Sequence, residues 1–597
     1  MLVYGDRESI ETVDEKRRSV ERSLDRISAL PPGHERHAAL IAAFIGASEL
    51  VQGLIDADFE ARGYDALSPT HVDGMGCLMP LACSIVQSWR SGFSQTSVPE
   101  VIREKLHRFD SNLTVRIKQA EGYAFYALYP ESYVEAALRS GLGPETRIIG
   151  IRSIGAGLSS LVAAALGSSA PFTVRPVGHP FQREVKVDPE VTAMLTQDPN
   201  ATFAVVDEGP GLSGSSFGAV ADWLEAAGVA RKRIHFFPSH AGQLGPQASP
   251  SHRARWDKAA RHFLGMDSLL LEGGSSLLTQ WVESLTGPLQ GRLEDISGGA
   301  WRRLRYDRPE FWPAANIQQE RRKFLARTQE ATWHVKFAGL GENGWRKKAQ
   351  ARHLHEAGFT SEIAGLRHGF LVERWHERAP SLDQHPIERG RLVDHLGIYL
   401  GFRARHFPAP LYAGASLLQL HEMARYNTML ALGEEAAGTI DRILTNGHRL
   451  SSMVRPVFTD SRLHPSEWLV IGERLIKTDA LDHSTAHDLV GCQDIAWDIA
   501  GAAVEFNLSN SEIRHLCRVV EKESGRPVAP ELLVFMAPCY LAFQIGSHTM
   551  AADALRGSEE EPRLRSAAEK YGVLLKGYLE RPDRLCFNKE QDKVPAG

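Results

Sequence analysis

The sequence predicts an α/β architecture built on a parallel sheet in its first half, then a two-lobed α+β unit, with a helical segment in front of both. Three observations predict this. Between about residues 100 and 290, short apolar strands alternate with helices; strands of a parallel sheet covered on both faces read as such continuous apolar runs. A second unit opens near residue 330 with TWHVKFAGL, a strand, and WRKKAQARHLHEAGF, an amphipathic helix, and it closes on long helices. Ahead of both, HAALIAAFIGASELVQGLIDADFEARG repeats apolar residues at three- and four-residue spacing, the period of a helix.

A chain of 597 residues is long enough for about three or four domains. The expected boundaries are a helical N-terminal region over 1–95, a parallel-sheet domain over 96–290, a connector rich in Arg and Trp over 291–330, and the α+β unit over 331–597. The helical region carries no chemistry and reads as a packing or dimerising unit, compatible with a homodimer. The 68 basic and 73 acidic residues nearly cancel, to −5. Such a balance gives no bulk attraction to nucleic acid or to an anionic membrane, so small molecules are the expected partners. Six scattered cysteines without a C-x-x-C pair fit a reducing cytoplasm and exclude a zinc knuckle. The first residues do not resemble a signal peptide, and no uncharged apolar run of spanning length is expected.

In the first half the expected strands are 123–129 (YAFYALY), 147–151 (RIIGI), 172–175, 203–206 (FAVV) and 233–237 (RIHFF). Ligands of such sheets sit beyond the carboxyl ends of the strands, and two unusual loops fall there. The first, Arg152-Ser153-Ile154-Gly155-Ala156-Gly157, lets backbone amides approach a phosphate ahead of a helix. In the second, Asp207 and Glu208 end a buried strand, and Gly209-Pro210-Gly211-Leu212-Ser213-Gly214-Ser215-Ser216 follows. Acids in that position suit ribose hydroxyls, and the amides and hydroxyls after them suit a 5′-phosphate.

This pairing resembles the phosphoribosyltransferase family over about 150 residues. The resemblance implies phosphoribosyl diphosphate as substrate and Mg²⁺ to neutralise the leaving diphosphate. It implies Asp207 and Glu208 as catalytic acids, and phosphate or ribose contacts at Ser153, Gly155, Gly157, Arg175, Gly211, Ser213, Gly214, Ser215 and Ser216. His179, Arg183 and Lys186 fall in the segment that closes over the diphosphate. Glu208 replaces the usual second Asp, and serines stand where Thr is frequent. Two other readings stay open. Residues 209–214 spell G-x-G-x-x-G, a dinucleotide signature, though two acids directly before it repel a pyrophosphate; the loop also serves as a plain turn.

In the second half, Lys336 lies inside an apolar strand, where an unpaired ammonium is costly and calls for an anion. EAGFTSEIAGLRHGFLVERW follows the next helix. Later come FTDSRLHPSEWL, RLIKTDA, and Asp494-Ile495-Ala496-Trp497-Asp498. These segments resemble aminoglycoside phosphotransferases and choline kinases. The resemblance implies ATP at Lys336 with Glu373 near the hinge, Mg²⁺ on Glu467 and Asp479, and Asp460 as the base that phosphoryl transfer requires. Aligning Leu463-His464-Pro465 with the family's L-H-P puts Arg462 on the position of the catalytic Asp. Glu342 is an early candidate for pairing Lys336. Asp479, Asp482, His483, His487 and Asp488 form an acid–histidine cluster that reads as a polar loop or as a metal site, with Arg474 and Lys477 near enough to neutralise it.

Two functions follow: a bifunctional enzyme, joining phosphoribosyl transfer or cleavage to Mg–ATP-dependent phosphorylation of a small hydroxyl compound; or a nucleotide-sensing regulatory or scaffold protein with a degenerate kinase unit.

Overall fold

A computed structural model describes residues 1, 8–96, 100–211, 213–272, 276–444, 447–485 and 489–580. The N-terminal region is helical, as Val13–Ala29, His34–Arg62 and Pro69–Arg90. It also carries a strand that polar residues conceal: Glu8–Thr12 pairs antiparallel with Thr114–Lys118. Thr12 then caps the first helix, accepting from the Glu15 amide while the Glu15 carboxylate accepts from the Thr12 amide.

Five parallel strands form the first sheet, in the order Phe172–Val174, Arg147–Ile151, Phe203–Val206, Ile234–Phe237, Ala260–Arg261. Both loops singled out above leave its carboxyl edge. The glycines beside them serve close approach: a Cβ on Gly155 would sit 2.8 Å from Val206 O, and one on Gly157 2.6 Å from Ser48 Oγ of the helix His34–Arg62. Residues 123–129 do not add a strand. They form the short helix Glu121–Phe125 and a turn with Ala127 at φ 52°; Gly122–Phe125 and Ala127–Tyr129 are buried and Tyr126 is exposed.

The second sheet is antiparallel, ordered Glu294–Asp295, Lys323–Arg327, Thr332–Phe337, Phe370–Arg374, Ile363–Arg367. Two of its strands come from residues 291–330, so that stretch builds the sheet as well as connecting. Its core is shared: Phe324, Val335, Phe337 and Phe370 pack in one cluster with Leu40, Phe44, Leu158 and Ala204 of the first half. A second core holds the helical lobe, including Arg389–His406, Ala496–Glu505, Pro530–Ala554 and Glu561–Glu580. Among the described residues two helices, His34–Arg62 and Pro530–Ala554, are long and apolar enough to cross a bilayer by length and composition. They bury 83% and 78% of the qualifying stretch within the protein, which is the behaviour of core helices.

Candidate active site

Between the antiparallel sheet and the helical lobe lies a cleft of about 260 Å³. Lys336 reaches it from the central strand, whose other side faces the shared core. Its ammonium meets Asp479 Oδ1 and Asp482 Oδ2, each at 2.5 Å. Lys347, on the helix Gly341–Glu356, pairs with the other oxygen of Asp482, and Arg321 lies 3.9 Å from it. On the opposite wall Lys477 and Arg462 each hold Glu467 at 2.8 Å. His483 Nε2 is 3.3 Å from Asp479 Oδ2. Cationic side chains outnumber carboxylates along the walls; a surplus of positive charge in a cleft favours a polyanion.

The charges are held by one another. Burial works against the Lys336 ammonium, yet Asp479 and Asp482 keep its pKa above the ordinary range. Burial likewise opposes the Glu467 carboxylate, and Lys477 and Arg462 bring it down to about 2. Lys347 goes the other way: desolvation outweighs Asp482 and lowers it to about 7. Glu467, Asp479 and His483 present ligand atoms within 4.8 Å of one another, a set that could hold a cation. Carboxylates fit Mg²⁺, while the histidine fits a softer ion. The acid–histidine segment is thus the floor of the cleft as far as Asp479, Asp482 and His483 are concerned; His487 and Asp488 lie outside the described residues. Arg474 is exposed.

Glu373 also lines the cleft, with Ala338, Leu371, Trp375 and Leu469 beside it. Glu342 instead faces the N-terminal helix, accepting from Ser23 Oγ at 3.4 Å. Asp460 sits behind the cleft. Its side chain is 0% exposed, bonded to Tyr399 Oη, 3.5 Å from Lys477 Nζ and 3.8 Å from Arg403. Asp498 accepts from the amides of Asp460 and Ser461, both at 2.8 Å, and so supports this loop; Asp494 accepts from the Arg455 and Ala496 amides. Sequence reasoning missed Lys347 and Arg321. Both sit in runs of basic residues, which carry no signal that separates one buried member from its solvated neighbours.

The loop after Asp207 borders a second cavity of about 490 Å³, lined by Glu208, Gly209, Gly211, Ser239, His240 and Tyr126, among others, and the 152–157 turn does not line it. Gly155 abuts the Asp207 carboxylate, so the 152–157 turn and the 207–216 loop meet, with Ser153 in that turn. Ser213 and Ser215 turn toward the hairpin Val177–His179/Gln182–Glu184, donating to Pro180 O at 3.4 and 2.7 Å. Gly214, at φ 60°, and Ser216 open the next helix. Arg175 is committed to Asp56, and donates to Arg152 O at 2.8 Å. Arg183 donates to Gly178 O, and Lys186 lies 3.7 Å from Glu184. His179 is exposed.

Burial pushes Asp207 up to about 7, and burial with the Asp207 charge pushes Glu208 up to about 8. Both keep protons that the unfolded chain loses near its ordinary carboxylate values of 3.8 and 4.5. The folded state therefore binds more protons above those values, and this contribution to stability is lost as pH rises toward 7–8. Urea midpoints taken from pH 5 to 8.5 should fall with pH, and Glu208→Gln should flatten the fall. An unchanged slope in the variant would remove Glu208 from this role.

No protein-family model matches the chain, and no curated protein matches it. Solved structures do. LicA in complex with AMP is 17% identical, with a TM-score of 0.33 over 50% of this chain and 97% of that one. A spectinomycin phosphotransferase in complex with ADP and spectinomycin is 14% identical, TM-score 0.34, over 51% and 97%. A choline/ethanolamine kinase family protein from Mesorhizobium loti is 16% identical, TM-score 0.31, over 44% and 86%.

Proposed function

We propose that the chain is a two-site transferase: the cleft between sheet and helical lobe takes Mg–ATP and phosphorylates a small hydroxyl compound, and the cavity beside 207–216 takes a phosphoribosyl diphosphate-type compound. One observation carries the first part. Glu467 and Asp479 converge on the lobe side, opposite Lys336 on the sheet side, in a cleft with surplus positive charge. Phosphoryl transfer rests mainly on positioned cations around the transferring group, together with a group that orients the attacking hydroxyl. Lys336 and Lys347 would hold phosphate oxygens, and Glu467 and Asp479 the metal, which neutralises charge when bound. The second part is supported by the order of the parallel sheet and by the meeting of the 152–157 turn with Asp207 at its carboxyl edge.

A second reading has its own support. Asp460 is enclosed by Tyr399, Arg403 and Lys477, while Arg462, paired to Glu467, lines the cleft. A cleft with Arg462 in its lining and Asp460 enclosed behind it would bind nucleotide and sense it. Thermal unfolding with ATP and with phosphoribosyl diphosphate, each with and without Mg²⁺, tests occupancy, since a ligand stabilises by its affinity for the folded state. Asp207→Asn should lose the phosphoribosyl diphosphate shift and keep the ATP shift. Loss of both would refute two separate sites. ATP consumption with a panel of amino alcohols and aminoglycosides then separates transferase from sensor.

A further inference from the structure

Away from both cavities, His37 of the helix His34–Arg62, Glu131 of the helix Pro130–Arg139 and His368 of the turn between strands Ile363–Arg367 and Phe370–Arg374 meet in the core. Their side chains are 0%, 1% and 2% exposed. The two imidazole Nε2 atoms point at one oxygen, Glu131 Oε1, at 2.8 and 2.7 Å. The second oxygen, Glu131 Oε2, is buried without a hydrogen-bond partner. No lysine or arginine pairs with this carboxylate among the described residues; its ion-pair partners are the two histidines. An isolated buried carboxylate is costly, and burial disfavours the charged form of His37.

We infer that His37, Glu131 and His368 form a site for a divalent transition metal of the zinc type, which clamps the antiparallel sheet of the second half to the helices of the first. Two imidazoles and a carboxylate converging on one point are a zinc ligand set, with ligand distances of about 2.0–2.2 Å once the metal displaces the shared hydrogen bonds. The shell behind the ligands is also built. His37 Nδ1 meets Ser88 Oγ at 2.9 Å, and Ser88 in turn meets Thr96 Oγ1 at 2.9 Å. Such outer contacts fix the ring orientation of metal-ligating histidines. The backbone around His368 is set for this placement: His368 has φ 39° and Gly369 φ 93°, and Tyr129 Oη donates to the His368 carbonyl at 2.8 Å. Nearby, His34 Nε2 is buried without a partner, its ring 5.5 Å from that of His368.

The site stands apart from Glu467, Asp479 and His483 and does not depend on the proposed activity. The test uses the full chain purified without a polyhistidine tag. Metal content by mass spectrometry should be near-stoichiometric zinc in the wild type and in Asp479→Asn, and should collapse in His368→Asn and Glu131→Gln. Stripping with a chelator should lower the unfolding temperature of the wild type, and zinc should restore it. Cobalt added to stripped wild type should give the intense visible bands of a low-coordinate site; this readout needs no variant to fold. Folded wild-type protein that carries no zinc, gains no stability from zinc and shows no cobalt bands would overturn the inference. Zinc lost from Asp479→Asn but kept in His368→Asn would move the metal to the cleft and overturn it equally.

Discussion

Asp479→Asn is expected to remove the magnesium-dependent part of ATP binding, a loss on the order of 100-fold or more in affinity or turnover. The reason is local. Asp479 touches Lys336 with one oxygen and lies 3.3 Å from His483 with the other, while Glu467 immediately precedes the hairpin Trp468–Ile471/Arg474–Lys477 that Asp479 follows. An amide offers one oxygen and no charge, so the cation keeps Glu467 alone. The fold should survive, because Lys336 retains Asp482 at 2.5 Å and the Asp479 backbone carbonyl still accepts from Lys477. Calorimetric titration with ATP in the presence and absence of Mg²⁺ checks this. ATP binding without metal should change only a few-fold. If magnesium strengthens binding to the variant as much as to the wild type, Asp479 does not hold the metal and the cleft must be reassigned.

The parts of this cleft that could be read from sequence are those whose chemistry conflicts with their surroundings. Lys336 stands out because its neighbours Val335, Phe337 and Ala338 are apolar and the strand is buried. Asp479 and Glu467 stand out only through the resemblance to aminoglycoside phosphotransferases and choline kinases, which implies metal-binding groups at those positions. Lys347 does not stand out: it is one of several basic residues on a polar helix, and only the packing of that helix against the sheet buries it. The strand Lys323–Arg327 hides within an Arg-rich stretch, because its partner on the far side is only two residues, Glu294–Asp295. Long-range pairing places such a strand, and a sequence pattern of period two has too few residues to show it. The same holds for His37, Glu131 and His368. They lie far apart in the chain, on two helices and a turn, and their convergence is a property of the packing between halves.

Asp460 decides between the two readings of the helical lobe, and its replacement should have the larger structural effect. Asp460→Ala is expected to destabilise the lobe by about 3–5 kcal/mol, the range for removing one member of a buried charge network. Its carboxylate accepts from Tyr399 Oη and lies near Arg403 and Lys477, both buried; without it, those cations lose a counter-charge that solvent does not reach. The Arg403 bonds to the carbonyls of Phe458 and Ala480 soften the loss and do not replace the charge. Asp498, pushed up to about 6 by burial and by the Asp460 charge, should move back down in the variant, since one like charge is gone. Urea unfolding gives the first quantity, and the pH dependence of that unfolding gives the second. A base in a transferase behaves differently: its neutral variant keeps its stability and loses turnover. An Asp460→Ala protein as stable as the wild type, but catalytically dead, would therefore return Asp460 to the reacting groups and defeat its reading as an internal strut.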